Sequence, residues 1–140
     1  MSELLVELNF KFKDAKLQNS LQTLFGNIRR NKIALPEGLR TELLELFPSH
    51  ETEVVKVLAR NHLCDDLLEY IEEVKKYRGG LSVSCFGEGD HQTSVPLFMQ
   101  FIRSVGGTAL ACSVQNDYFC TSYKMDKNGN IIDTTRNNED

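Results

Sequence analysis

Residues 80–134, which begin Gly80-Leu81-Ser82-Val83-Ser84-Cys85, carry the clearest secondary-structure pattern in the chain. From residue 81 to residue 85, apolar and small polar side chains alternate, as they do in a strand with one buried face. A helix is predicted over 95–105, with Thr93 or Ser94 as its cap and Gly106-Gly107 as its end. Three further strands are predicted over 108–114, 118–125 and 130–134.

Turns and one crossover determine the expected order of these elements. Asn116-Asp117 is expected to reverse the chain, and a two-residue loop there would place Cys112 opposite Thr121. Asn128-Gly129 is typical of a tight hairpin turn. A strand, helix, strand crossover is normally parallel, so we expect a mixed, mostly antiparallel sheet.

In the N-terminal segment 4–12, every second residue from Leu4 to Phe12 is apolar, and the residues between them are Leu5, Glu7, Asn9 and Lys11. A lone strand with one buried face leaves its backbone groups unsatisfied. We therefore expect this strand to join the sheet of the C-terminal half.

Residues 14–78 are predicted to form a helical block of about four helices. Asp14 is a natural cap for the first helix, Pro36 starts the second and Ser49 caps the third. The fourth is predicted from Asp65-Asp66 through Val74 to a stop at Gly79-Gly80.

A length of 140 residues suffices for a real core but not for two ordinary domains, so we expect one domain. The predicted elements make it an α+β domain with about five strands and one crossover helix. An apolar fraction of 41% and a charged fraction of 26% are those of a soluble globular protein, with disorder expected only at the start and over 136–140. No run is apolar enough to span a membrane, and no secretory signal is evident. We therefore expect a cytoplasmic protein without a membrane partner.

The net charge of −4 argues against a general nucleic-acid binder, which needs a concentrated basic face. It is compatible with docking onto a basic partner, because complementary charges steer association. Acidic residues on helices are more often a solvated surface than a docking face.

Catalytic and metal sites are not expected. Cys85, Asp90 and His91 include the residue types of a thiol nucleophile and its base, but Cys85 is predicted to point into the core, where a thiol stays protonated. Residues 126–130 begin like a calcium loop, yet Asn137 stands where the loop needs a glutamate. The four cysteines have no zinc or redox spacing and are expected to be reduced. We expect no cofactor and no enzymatic activity.

The last 55 or so residues, with their strand-helix-strand-strand order and the closing segment 123–130, resemble bacterial immunity proteins that neutralise contact-dependent growth inhibition toxins. The resemblance is one of layout and carries over no individual residue. It implies a non-enzymatic inhibitor that binds its cognate toxin domain. Many such toxins are nucleases with basic clefts, so acidic side chains of the inhibitor would take the place of nucleic-acid phosphates.

The predicted partner-binding residues are therefore carboxylates. The loops supply Glu88, Asp90, Asp117 and Asp126, and the helical block supplies a second set, Asp65, Asp66 and Glu69. Two alternatives stay open: a regulatory adaptor with no toxin partner, and a small cysteine-dependent enzyme using Cys85 and His91.

Overall fold

A computed structural model describes residues 4–60, 62–87 and 90–137. The strands are β1 (Leu4–Lys11), β2 (Ile71–Tyr77), β3 (Gly80–Gly87), β4 (Thr108–Ala109), β5 (Cys112–Gln115), β6 (Phe119–Met125) and β7 (Ile131–Asn137). The helices are α1 (Ala15–Arg29), α2 (Glu37–Leu46), α3 (Glu51–Leu58), α4 (His62–Asp66) and α5 (His91–Ser104), and a 3₁₀ turn covers Leu68–Tyr70. No described helix has both the length and the apolar character needed to cross a membrane.

The predicted α+β class is confirmed: all seven described strands form one sheet, with helices mostly in the N-terminal half. The order is β2-β3-β1-β5-β6-β7, and β4 pairs with the end of β1. Every described pairing is antiparallel. The sheet thus has seven strands where about five were expected.

The N-terminal strand joins the sheet as predicted, and it lies at the centre. β1 pairs with β3 on one side and with β5 on the other. Since both pairings are antiparallel, β3 and β5 run parallel to each other with β1 between them. The crossover through α5 therefore links parallel strands, as expected, but the strands are not neighbours.

The prediction of a helix from residue 65 to residue 78 was wrong beyond Tyr70. Ile71–Tyr77 is a strand, and its register against β3 shifts between Ile71 and Glu73. This bulge places Ile71 opposite Cys85 and Val74 opposite Val83, so two residues three apart face the same side. A spacing of three is also that of a helix, which explains the error.

The hairpin between β2 and β3 accounts for the glycines that were interpreted as a helix end. Tyr77 pairs with Gly80, so the loop consists of Arg78 and Gly79. Their φ angles are 49° and 79°. Two positive φ angles in a two-residue loop match the twist of antiparallel strands.

In the C-terminal half, several boundaries of helices, loops and strands differ from the predicted ones. The cap of α5 is Asp90 rather than Thr93 or Ser94, because the Asp90 carboxylate accepts hydrogen bonds from the Thr93 amide (3.3 Å) and hydroxyl (2.6 Å). The β5–β6 loop is longer than two residues, so Cys112 pairs with Tyr123 instead of Thr121. β7 includes Arg136 and Asn137, which were expected to be disordered. Residues 138–140 of that predicted tail lie outside the described part of the chain.

The core lies on one face of the sheet, under the helices. Val6, Leu8 and Phe10 of β1 are fully buried there. They pack with inward residues of β3, β5 and β6 and with the apolar sides of α1 and α5. The predicted cap of α1 is confirmed, since Asp14 Oδ1 accepts hydrogen bonds from the amides of Lys16 (2.9 Å) and Leu17 (3.2 Å).

Candidate functional site

A groove runs between the first turns of α5 and the strands β6 and β7, and we call it the α5–β6 groove. It consists of two adjoining hollows of about 230 Å³ and about 410 Å³. Gln92 and Tyr123 line both hollows. The smaller hollow also includes Leu4, Asp90, His91, Val114, Phe119 and Thr121, and the larger includes Pro96, Gln100, Ile131 and Asp133.

The groove exists because the sheet is wider than the helix that covers it. α5 packs against β1, β4 and β6, and β7 pairs with the far side of β6. Asp133 stands directly opposite Tyr123 and Thr135 opposite Thr121, so these side chains project on the same side of the sheet as α5. Tyr123 is buried, whereas Asp133 is exposed beside it.

His91, the first residue of α5, is the most unusual group in the groove. Its exposed fraction is 5%, and neither Nδ1 nor Nε2 has a hydrogen-bond partner among the described residues. Leaving a buried donor or acceptor unpaired costs about 1–3 kcal/mol. His91 lines the smaller hollow, so its unpaired imidazole lies in the wall of the groove.

The groove is electrostatically negative. Burial raises the pKa of the Tyr123 phenol, and the carboxylates of Asp133 and Asp90 raise it further. The hydrogen bond from the Thr93 hydroxyl holds the pKa of Asp90 below its usual value. At neutral pH the groove therefore contains the ionised carboxylate of Asp90 beside a neutral phenol hydroxyl.

The structure brings several of the predicted docking residues to one end of the sheet. Asp66 Oδ2 lies 3.5 Å from His62 Nδ1, and His62 also helps to lower the pKa of Asp90. Asp65 and Glu69 are exposed on the same short helical segment as Asp66. Asp117 lies in the loop between β5 and β6, and it belongs to the same end of the sheet because Leu5 of β1 pairs with both Phe86 and Gln115.

The remaining predicted docking residues are engaged in local hydrogen bonds or lie outside the described part of the chain. Asp126 lies beyond the opposite end of β6. Its carboxylate accepts hydrogen bonds of 2.9 Å from the amides of Asn128 and Asn130, so it stabilises the hairpin turn. Asp90 likewise caps a helix. Glu88 lies outside the described residues.

Cys85 and His91 do not form a catalytic pair. The Cys85 side chain is fully buried, and burial raises its pKa to about 12. His91 has no described hydrogen-bond partner, so no thiol lies in position to give it a proton. At neutral pH, Cys85 is a protonated core residue.

The other cysteines are free as well. Cys112 faces the core, and Cys120, which pairs with Gln115, points to the opposite side of the sheet. No disulfide can join them in this register. Among the described residues, no group of three or more His, Cys, Asp or Glu side chains is arranged to hold a metal ion.

We expect a thiol reagent to modify Cys120 readily in the native protein and to leave Cys85 unmodified. Cys120 is partly exposed, whereas Cys64, Cys85 and Cys112 are buried and a raised pKa suppresses their thiolates. Mass spectrometry after labelling at neutral pH measures this, with the unfolded chain as the control in which all four thiols react. Rapid native labelling of Cys85 would contradict its assignment to the core.

Sequence reasoning missed Gln92, Tyr123 and Asp133 as site residues. Tyr123 and Asp133 lie on different strands, and only the register of the β6–β7 hairpin shows that they face each other. The pattern of alternating residues in β6 could have placed Thr121 and Tyr123 on one face. It does not say which helix approaches that face.

Two further grooves lie among the helices. One, of about 370 Å³, is lined by residues of α1 and α2, and another, of about 380 Å³, by residues of α3 and α5. Neither is lined by a buried polar side chain without a partner. The α5–β6 groove is therefore the candidate site.

Comparisons of the chain with protein-family models, with curated proteins and with solved structures found no match.

Proposed function

We propose that this protein is a cytoplasmic immunity protein that binds a bacterial toxin domain and blocks its basic active-site cleft. The proposal supposes no chemical reaction by the protein itself. Its action would be to occupy the surface that the toxin uses for its substrate. The layout of strands and helix in the C-terminal half, which resembles contact-dependent growth inhibition immunity proteins, supports the choice of partner.

The observation that carries the proposal is the convergence of carboxylates at one end of the sheet. The carboxylates of Asp90 and Asp133 both raise the pKa of Tyr123, and His62, whose Nδ1 lies 3.5 Å from Asp66 Oδ2, helps to lower the pKa of Asp90. Asp65 and Asp117 are exposed at the same end. Such a surface attracts a basic cleft from a distance and excludes nucleic acid by repulsion.

We expect the toxin to be the C-terminal domain of a large secreted protein, encoded next to the gene of this chain. We expect co-expression of this chain to restore growth to cells that produce that domain, and we expect the purified proteins to form a complex in isothermal titration calorimetry. Unrelieved toxicity together with no complex would overturn the proposal.

Reversing the charge of one carboxylate tests quantitatively whether electrostatic attraction contributes to binding of the toxin. We expect Asp133→Lys to weaken the complex by about tenfold or more at low salt, chiefly through slower association. Stopped-flow association rates at two salt concentrations measure the effect. Glu45→Lys is the matched control, because Glu45 is exposed on α2, away from the groove. Equal rates for the two variants would contradict this placement of the docking surface.

A further inference from the structure

The α5–β6 groove has the chemistry of a site for one positively charged side chain. Among the described residues, its lining includes two carboxylates, Asp90 and Asp133, and no lysine or arginine. The carboxylate of Asp90 also occupies the N-terminus of α5 as its cap, so the helix dipole is already compensated and an anion would meet repulsion.

We infer that this groove binds the guanidinium group of an arginine side chain that the partner protein supplies. The inference rests on the proposed function for the source of the arginine. The site itself follows from the groove and from the buried imidazole of His91, whose nitrogens have no partner among the described residues.

Arginine fits the distribution of acceptors better than lysine. The acceptors belong to separate residues along the groove: the carboxylate of Asp133, the Tyr123 hydroxyl, the amide oxygen of Gln92 and an imidazole nitrogen of His91. A guanidinium presents five N–H donors in a flat fork, whereas an ammonium presents three donors at one point.

The groove also accommodates the apolar part of an arginine. Pro96 and Ile131 are half-buried and line the larger hollow, so the methylene stem can lie against them while the charged head reaches Tyr123 and Asp133. Long basic side chains commonly bury their stems in this way. Burial of the head group beside Tyr123 would also give His91 the partner that it lacks.

The inference is testable without the toxin. The probe is N-acetyl-arginine-methylamide, and the matched neutral control is the citrulline analogue, which keeps the shape but loses the charge. We expect the arginine probe to shift the His91 ring nitrogens and the Tyr123 signals in NMR spectra saturably, with a dissociation constant in about the millimolar range. The citrulline analogue should leave these signals in place.

Variants localise the effect. We expect Asp133→Asn to weaken the arginine response by about fivefold or more, because it removes the exposed carboxylate opposite Tyr123. Glu45→Gln, which removes an exposed carboxylate on α2 outside the groove, should leave the response unchanged. Absence of a saturable shift, an equal response to citrulline, or full binding by the Asp133→Asn variant would each overturn the inference.

The outcomes separate this inference from the proposed function. A toxin complex that forms normally while the arginine probe fails would remove the arginine site and leave the immunity function standing. An arginine response without any toxin complex would support the site and remove the proposed partner.

Discussion

Phe10→Ala is expected to lower the free energy of unfolding by about 3–5 kcal/mol, the range for removing a large side chain from a packed core. Phe10 is fully buried on the central strand. Its ring lies edge-on to those of Phe12, Phe25 and Phe98, at centroid distances of 6.2, 5.8 and 5.5 Å. The substitution therefore removes contacts to β1, α1 and α5 together, and it opens a cavity where the three elements meet.

Urea unfolding followed by circular dichroism measures this loss. Phe86→Ala is the matched control, since Phe86 also lies in the sheet but is 38% exposed. We expect the control to cost about 1 kcal/mol. Equal losses for the two variants would show that Phe10 is not at the centre of the core.

Gly80→Ala is expected to lower the free energy of unfolding by about 3 kcal/mol, through overpacking. A Cβ at position 80 would collide with the Phe10 carbonyl oxygen of the neighbouring strand and lie 3.0 Å from Lys11 Cβ. The neighbouring atom is backbone, so it cannot rotate away. Relief requires β1 and β3 to separate at the start of the hairpin, where their hydrogen bonds would be lost.

Gly26→Ala is the opposite case and serves as the control. A Cβ there meets nothing within 4 Å, and the residue lies inside α1. Alanine loses less backbone freedom in a helix, so we expect stabilisation by about 0.5–1 kcal/mol. Thermal unfolding of both variants in parallel measures the two effects. A stabilised Gly80→Ala variant would contradict the close approach of β1 and β3.

Local patterns predicted the elements well where each depends on its own residues. The alternation in β1 and the cap at Asp14 are both confirmed. Each follows from a side chain and its near neighbours in the chain. The segment Ile71–Tyr77 failed because a bulged strand and a helix both put residues three apart on one side.

The candidate site could be predicted only in part. Asp90, a predicted docking residue, lines the groove, and His91 was considered only as a catalytic base. Asp126 was chosen for its exposed loop, yet its carboxylate is engaged by two backbone amides. Whether a carboxylate caps a turn or faces a partner depends on hydrogen bonds that charge patterning does not contain.

The amino-acid sequence by itself determined the α+β class, the membership of the alternating N-terminal strand in the sheet, and the acidic net charge of the chain. These properties depend on composition and on short-range periodicity. Only the tertiary structure decided that β1 lies at the centre of the sheet, that Asp133 faces Tyr123, and that His91 is buried without a described partner. Strand register and helix placement arise from contacts between distant parts of the chain, so no local pattern specifies them.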